Sequence, residues 1–165
     1  MTSVVLPAPA PVDPDGGSLT DPQAVVEAFL HALAVSDVEA ATALVADDIR
    51  YVNVGLPAVI GRTRVAKVLG GLAKPGASFE VYLHAISADG PVVLTERTDV
   101  LVFGSLRAQF WVWGRFDVHD GEITLWRDSF DFVDITRAMV RGLVGMVLPG
   151  VRPKAPTSTD VPPGR

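Results

Sequence analysis

The residues best suited to chemistry lie in the segment Thr95–Leu101, where an arginine and an aspartate stand two positions apart in an apolar, β-branched run. Successive side chains of a strand point to opposite faces, so Arg97 and Asp99 are predicted to share one face. Burying an ion pair is costly, and apolar residues of similar volume often stabilise a fold as well. The pair is therefore a candidate functional site, although a structural ion pair or a half-exposed strand would give the same pattern.

Two further stretches place polar side chains among apolar residues. Tyr51 and Asn53 share one face of a predicted strand. In the last predicted strand, Trp126 and Asp128 share the face opposite Arg127. Alternation alone does not decide which of these two faces is the inner one, because apolar residues fall on both. Taken singly, each residue has a structural explanation: buried tyrosine finds a hydrogen-bond partner, asparagine favours turns, and aspartate is rarely buried.

The composition is that of one acidic globular domain. The chain has 165 residues, is 48% hydrophobic and carries a formal net charge of −5, which favours a single core and makes nucleic acid a poor partner. It has no cysteine, which excludes disulfides, thiolate metal sites and cysteine nucleophiles. His31, His84 and His119 lack ligand spacing, so no metal is expected. Neither a basic leader nor an apolar run that could span a bilayer is visible, and the expectation is a soluble cytoplasmic protein.

The folded part is predicted to cover residues 20–148. Segments rich in proline, alanine and glycine flank it, and we expect the arm 1–19 and the proline-rich tail 149–165 to be disordered. The predicted domain is therefore single, with no internal repeat.

The first half of the folded part has helical patterns. A first helix is predicted to begin at Thr20 or Asp21. A second begins at a capping box of Ser36 and Glu39 and ends at the aspartate pair 47–48. A short strand over 49–54 and a third helix over 62–72 follow.

The second half alternates as strands and ends in a helix. The strands are predicted over 79–87, 92–103, 106–118 and 122–132, and Asp134 is predicted to cap the final helix. Helices followed by an antiparallel meander indicate an α+β fold. A long sheet in so short a chain must curl, so we expect a strongly curved mixed or antiparallel sheet that forms a cone. Helices would cover its inner face over a deep apolar pocket.

Four segments, in this order, resemble the limonene epoxide hydrolase family. This family belongs to the cystatin-like, nuclear transport factor 2-like cone folds, which also include ketosteroid isomerases and polyketide cyclases. The resemblance covers about residues 25–147 and is greatest to the mycobacterial steroid- and lipid-epoxide branch. The segments are Tyr51-Val52-Asn53, LTERTDVL at 94–101, QFWVWGRF at 109–116 and ITLWRDSFD at 123–131.

The resemblance implies a set of catalytic residues by position: Tyr51, Asn53, Arg97, Asp99 and Asp128. It implies that Asp128 faces inward and, as a carboxylate, takes a proton from a water that Tyr51 and Asn53 also hold. Asp99, kept protonated by an apolar pocket, would donate its proton to the epoxide oxygen. Arg97 would orient both carboxyl groups. The family needs no organic cofactor and no metal.

The expected substrate is a hydrophobic epoxide of the terpene, sterol or fatty-acid type, which water opens to a vicinal diol. The pocket wall is predicted from seven apolar residues: Leu30, Leu33, Leu101, Phe110, Val112, Phe130 and Leu143. The family also implies a homodimer through the outer sheet face, which Trp111, Trp113 and the final helix permit.

Two alternatives stay open at this point. A ketosteroid isomerase or cyclase needs a carboxylate base and an oxyanion hole, which Tyr51 and a protonated Asp99 could supply. A non-catalytic protein could bind hydrophobic ligands in the same pocket, but it would have no need for two inward carboxyl groups joined by an arginine.

Overall fold

The structure is a computed structural model that describes residues 21–154 and residue 156. The predicted arm, residues 1–19, and most of the predicted tail, residues 155 and 157–165, lie outside the described residues. In the described part, helices precede a run of long strands. In chain order the elements are α1 (Pro22–Ala34), α2 (Val38–Ala43), β1 (Val45–Asn53), β2 (Val59–Ile60), α3 (Arg62–Leu72), β3 (Ala77–Asp89), β4 (Val92–Phe103), β5 (Leu106–His119), β6 (Glu122–Ser129) and α4 (Phe132–Val147).

One sheet of six strands in the order β2-β1-β6-β5-β4-β3 organises the fold. The strands β3 to β6 form an antiparallel meander, whereas β1 pairs with β6 in parallel. The register shifts between Leu83 and Ala85 in β3 and between Asp117 and Val118 in β5, and such irregularities bend strands and increase their twist. The predicted α+β class and the curved mixed sheet are confirmed.

The core lies between α1 and the inner face of the sheet. Four α1 residues, Val25, Val26, Phe29 and Leu30, are fully buried, as expected from their helical spacing. The Phe29 ring meets the Trp126 ring of β6 edge-on with centroids 5.0 Å apart. The predicted start of α1 is confirmed, since the Asp21 carboxylate caps it.

The start and the end of α2 differ from the sequence prediction. The cap is Asp37, whose carboxylate accepts the backbone N–H three residues later at 2.9 Å, while Ser36 has a left-handed φ of 60°. The predicted capping box at Ser36 is therefore wrong by one residue. The predicted end at Asp47 and Asp48 is also wrong, because the buried Val45 already pairs with β6 and both aspartates lie in β1.

The final helix also begins earlier than predicted. The Asp131 carboxylate accepts the N–H of Val133 at 2.8 Å and so caps α4. The strand β6 ends at Ser129, which makes both the predicted strand end at Phe132 and the predicted cap at Asp134 wrong.

Most large apolar residues of α4 lie on its exposed side, whereas Ile135 lines the cavity described below and Met139 packs against β5. Its packing face consists of the small residues Ala138, Gly142 and Gly145, and a Cβ at Gly142 would lie 2.8 Å from the backbone oxygen of Arg107. Val140 is 55% exposed on the other side. The side of α4 that packs on the sheet is therefore the one whose small residues let the backbone approach β5, and not the more hydrophobic side.

Candidate active site

Two neighbouring parallel strands bring four inner-face residues side by side. In the register of β1 and β6, Tyr51 lies beside Trp126, and Asn53 lies beside Asp128. The Tyr51 and Trp126 rings stack with centroids 3.9 Å apart. The structure thus places Asp128 and Trp126 on the inner face, the choice that alternation alone left open.

A buried arginine joins two buried carboxyl groups from different strands. Arg97 Nε lies 2.9 Å from Asp99 Oδ1 within β4. Arg97 Nη2 lies 2.6 Å from Asp128 Oδ2 of β6. The side chains of Arg97, Asp99 and Asp128 are 1%, 5% and 5% exposed, so water screens these contacts little. We refer to these three residues as the Asp–Arg–Asp bridge.

Two further contacts hold the guanidinium group. Its Nη1 donates to Thr95 Oγ1 at 3.1 Å. Its carbon lies 5.9 Å from the centroid of the Phe116 ring, within the range of a cation–π interaction. All three guanidinium nitrogens of Arg97 therefore have a partner, and a planar fork held at three points has little freedom to rotate.

Burial and neighbouring charges shift the pKa values of Asp99 and Arg97 in the bridge. Burial disfavours the charged form and, with the nearby charge of Asp128, raises the pKa of Asp99 to about 6 even though Arg97 opposes the shift. Burial alone would lower the pKa of Arg97, but the charges of Asp128 and Asp99 hold it above its usual range. With one proton on Asp99, the bridge carries one positive and one negative charge and is neutral as a whole.

One carboxylate oxygen of the bridge has no hydrogen-bond partner. Asp128 Oδ1 is buried and unpaired among the described residues, while Asp128 lines the cavity described below. The Asn53 side chain lies within hydrogen-bonding reach of the Tyr51 hydroxyl. Burial, reinforced by the charge of Asp128, raises the pKa of Tyr51 above its usual range, so the hydroxyl keeps its proton.

A cavity of about 270 Å³ opens onto these polar groups. Four of them, Tyr51, Asn53, Asp99 and Asp128, line it, whereas Arg97 lies behind the two carboxyl groups. The rest of the lining is apolar and consists of Leu33, Leu56, Val68, Leu69, Phe79, Leu101, Phe110, Trp126, Phe130 and Ile135. A mostly apolar cavity with a few convergent polar groups is typical of a small-molecule site.

Four of the seven predicted wall residues line the cavity: Leu33, Leu101, Phe110 and Phe130. The other three lie elsewhere, which corrects the expected lining. Leu30 and Val112 are 0% and 1% exposed in the interior, and Leu143 is 54% exposed on the outer side of α4. Leu143 faces outward because small residues occupy the side of α4 that packs on the sheet.

Sequence reasoning missed the residues at the mouth of the cavity. Leu56 and Val68 line it and are 51% and 42% exposed. A Cβ at Gly55 would lie 2.9 Å from the Phe132 ring, so the segment between β1 and β2 packs closely on the start of α4, near Ile135. No local pattern identified these residues, because they meet only when the sheet brings three separate elements together.

Among the described residues, no group of three or more His, Cys, Asp and Glu side chains is placed to hold a metal ion. Within the same part of the chain, no helix has the length and hydrophobicity needed to cross a bilayer. The predicted cytoplasmic location stays a prediction.

The geometry described above agrees with the comparisons with known proteins. The model of the limonene-1,2-epoxide hydrolase catalytic domain matches residues 20–141. The chain belongs to the limonene-1,2-epoxide hydrolase family. The epoxide hydrolase EphG of Mycobacterium tuberculosis (strain ATCC 25618 / H37Rv) is 49% identical over 127 residues, which are 77% of this chain and 85% of that protein. The predicted family and the predicted class of enzyme, an epoxide hydrolase, are confirmed.

One solved structure supports the same assignment, and a second shows the fold. A limonene epoxide hydrolase-like epoxide hydrolase from M. tuberculosis is 46% identical, superposes with a TM-score of 0.77, and is matched over 81% of this chain and 95% of its own. A nuclear transport factor 2-like protein of unknown function from Cytophaga hutchinsonii is 19% identical, with a TM-score of 0.58 and coverage of 67% and 90%. The second likeness shows the fold alone and confirms the cone.

Asp99 gives the unfolding free energy of this epoxide hydrolase family member a pH dependence that can be measured. Its pKa of about 6 lies above the ordinary 3.8, so the folded state binds the proton more tightly than the unfolded state. This stabilisation is complete below about pH 4 and is lost as the pH rises through about 6. Relative to Asp99→Asn, the wild type should lose on the order of 2 kcal/mol between pH 4 and pH 7.

Urea unfolding at several pH values measures the difference between the two proteins. Asp89→Asn, at an exposed carboxylate of the same sheet, serves as the control and should follow the wild type. Parallel stability curves for Asp99→Asn and the wild type would contradict the raised pKa.

Proposed function

We propose that this protein opens a hydrophobic epoxide with water in one step, with Asp128 as general base and Asp99 as general acid. The observation that carries the proposal is the Asp–Arg–Asp bridge, in which two buried carboxyl groups line one cavity and share one arginine behind it. Buried charges of this kind contribute little net stability. A function that needs one ionised and one protonated carboxyl group explains why they lie there.

On the nucleophile side, Asp128 has one oxygen bound to Arg97 and one oxygen that has no hydrogen-bond partner among the described residues. A water bound to Oδ1 would also be in reach of Asn53, its neighbour in the adjacent strand, and of the Tyr51 hydroxyl. Three fixed partners would aim a lone pair of that water at one epoxide carbon and lower the entropic cost of attack. Asp128 would take the proton that the water loses.

On the leaving-group side, a protonated Asp99 would donate its proton to the epoxide oxygen as the carbon–oxygen bond breaks. The water oxygen forms the new bond to carbon, so the product is a diol and no ester with the protein is formed. Each turnover moves one proton onto Asp128 and one off Asp99, which leaves the net charge of the bridge unchanged. Arg97 stabilises whichever carboxylate carries the charge, and proton transfer back to Asp99 resets the site.

The cavity supports a hydrophobic substrate. Its walls are aliphatic and aromatic, and Phe110 and Phe130 meet edge-on with centroids 6.1 Å apart. A volume of about 270 Å³ lies near the lower end of the range for small-molecule sites. A compact terpene-type epoxide would fill it, whereas a sterol or fatty-acid epoxide would extend through the mouth beside Leu56 and Val68. Lipid metabolism or detoxification are the roles that such substrates suggest.

We also propose that the protein forms a homodimer through the outer face of the sheet. Leu94 of β4 and Trp113 of β5 are 54% and 56% exposed on that face. Two buried polar atoms there, Gln109 Oε1 and Trp111 Nε1, have no hydrogen-bond partner among the described residues, and a second subunit would offer partners for them.

The proposed roles predict the loss of diol formation in two variants. Asp99→Asn cannot supply the acidic proton, and Asp128→Asn cannot accept one, so each should lower kcat at least about a hundredfold. Conversion of styrene oxide and a sterol epoxide to diol measures the effect, and Asp89→Asn serves as the exposed control. Full activity in either folded variant would contradict the assignment. A wild type that binds these epoxides without opening them would favour the non-catalytic alternative.

The single-step mechanism predicts where oxygen from water appears first. In a single turnover in oxygen-18 water with excess enzyme, the label should enter the diol and not the protein, because no ester forms. Mass spectrometry of both molecules measures this distribution. Label in a carboxyl group of Asp99 or Asp128 would contradict the mechanism and indicate a covalent intermediate.

The proposed dimer predicts different effects at two apolar residues of similar exposure. Trp113→Glu on the sheet should give a monomer, whereas Val35→Glu at the end of α1, 58% exposed, should leave the dimer intact. Light scattering after size-exclusion chromatography measures the mass. A monomeric wild type would contradict the proposal, and so would dissociation by Val35→Glu alone.

A further inference from the structure

We propose that Thr95 and Gly114 are positioning residues that hold the arginine of the Asp–Arg–Asp bridge in place across an intervening strand. This inference rests on the proposed function of the bridge. Neither residue lines the cavity. The inference concerns the hydroxyl oxygen of Thr95 and the absence of a side chain at Gly114.

The bridge has to cross a strand. Arg97 lies on β4 and Asp128 on β6, and β5 runs between them. Adjacent strands lie about 4.8 Å apart, so the two backbones are separated by about twice that distance. In the register, Gly114 of β5 lies opposite Thr95 on one side and opposite Asp128 on the other. The guanidinium group therefore reaches Asp128 over Gly114.

Gly114 leaves the space that this path requires. A Cβ at this position would overlap Arg97 Nη1 and Thr95 Oγ1 and would lie 3.1 Å from Phe116 Cε2. The nearest β5 residues on the same face, Val112 and Phe116, both carry large side chains. The arginine passes over the one position between them that has none.

The backbone does not require a glycine here. Gly114 lies within β5 and is absent from the positive-φ glycines of the described part of the chain. Glycine in the interior of a strand weakens it, because it has a high conformational freedom to lose and no side chain to pack. The need for space beside Arg97 is therefore the reason for glycine at this position, and the strand bears its cost.

Thr95 fixes the third nitrogen of the same group. It is 3% exposed, and its Oγ1 accepts from Arg97 Nη1 at 3.1 Å while Asp99 and Asp128 bind the other two nitrogens. Without this acceptor the buried N–H would have no partner, which costs more than the hydrogen bond is worth. Rotation of the guanidinium group toward another acceptor would lengthen its contact with Asp128.

The test compares two threonines on opposite faces of β4. Thr95→Val keeps the volume and removes the acceptor, whereas Thr95→Ser keeps the oxygen. Thr98→Val is the matched control, because Thr98 is also buried, at 4% exposed, and its hydroxyl bonds to His84 at 2.8 Å on the face away from the bridge. Loss of stability alone would affect Thr95→Val and Thr98→Val alike.

We expect Thr95→Val to lower kcat for diol formation at least about tenfold. The KM for the epoxide should change little, because Thr95 does not line the cavity, and the basic limb of the kcat–pH profile should move because the bridge partner of Asp99 has shifted. Thr95→Ser should restore kcat and the profile. Gly114→Ala should lower kcat more than Thr95→Val, with Gly70→Ala as its control, since a Cβ at Gly70 meets nothing within 4 Å.

A readout that is independent of turnover completes the experiment. The Nε–H resonance of Arg97 in nitrogen-15 NMR, identified by its loss in Arg97→Lys, should shift or broaden in Thr95→Val and stay in place in Thr95→Ser and Thr98→Val. An unchanged resonance and unchanged kcat in Thr95→Val would overturn the inference, even if Gly114→Ala fails to fold. A wild type that makes no diol would instead overturn the proposed function, so the two failures are distinguishable.

Discussion

The structure depends on one interaction, the buried contact of Arg97 with Asp99 on its own strand and Asp128 two strands away. Two buried carboxylates and one arginine would leave a net negative charge in a medium that screens it poorly. The raised pKa of Asp99 lets this carboxyl group hold a proton and removes that charge. Protonation of Asp99 therefore removes the unfavourable buried charge and also provides the proposed general acid beside the proposed general base, Asp128.

The strand order of the sheet brings the bridge and its polar neighbours together. An antiparallel meander alone would place Arg97, Asp99 and Asp128 near one another, but it would leave Asp128 without polar neighbours on its other side. The parallel addition of β1 to β6 brings Asn53 beside Asp128. The cavity then forms where this strand pair, α1 and α3 converge. The lining is completed by Ile135 of α4, and this helix packs closely on β5 where it carries the small residue Gly142.

Local patterns predicted most of the helices and strands and singled out the polar residues of the site. Alternation in β4 placed Arg97 and Asp99 on one face, and helical spacing predicted the buried face of α1. The errors occur where a tertiary contact competes with a local signal. The cap of α2 lies one residue later than predicted, and Leu143 faces outward because Gly142 allows the backbone of α4 to approach β5. Which face of β6 points inward could not be decided from alternation, and only the resemblance indicated the side of Asp128.

The most direct test of the proposed acid and base roles is a neutron structure of the protein crystallised near pD 5, about one unit below the pKa of Asp99. The account predicts a deuteron on Asp99, none on Asp128, and a water within hydrogen-bond distance of Asp128 Oδ1, Tyr51 and Asn53. A deuteron on Asp128 together with an ionised Asp99 would contradict the assignment of acid and base. A site in which no water contacts Asp128 Oδ1 would contradict the proposed origin of the nucleophile.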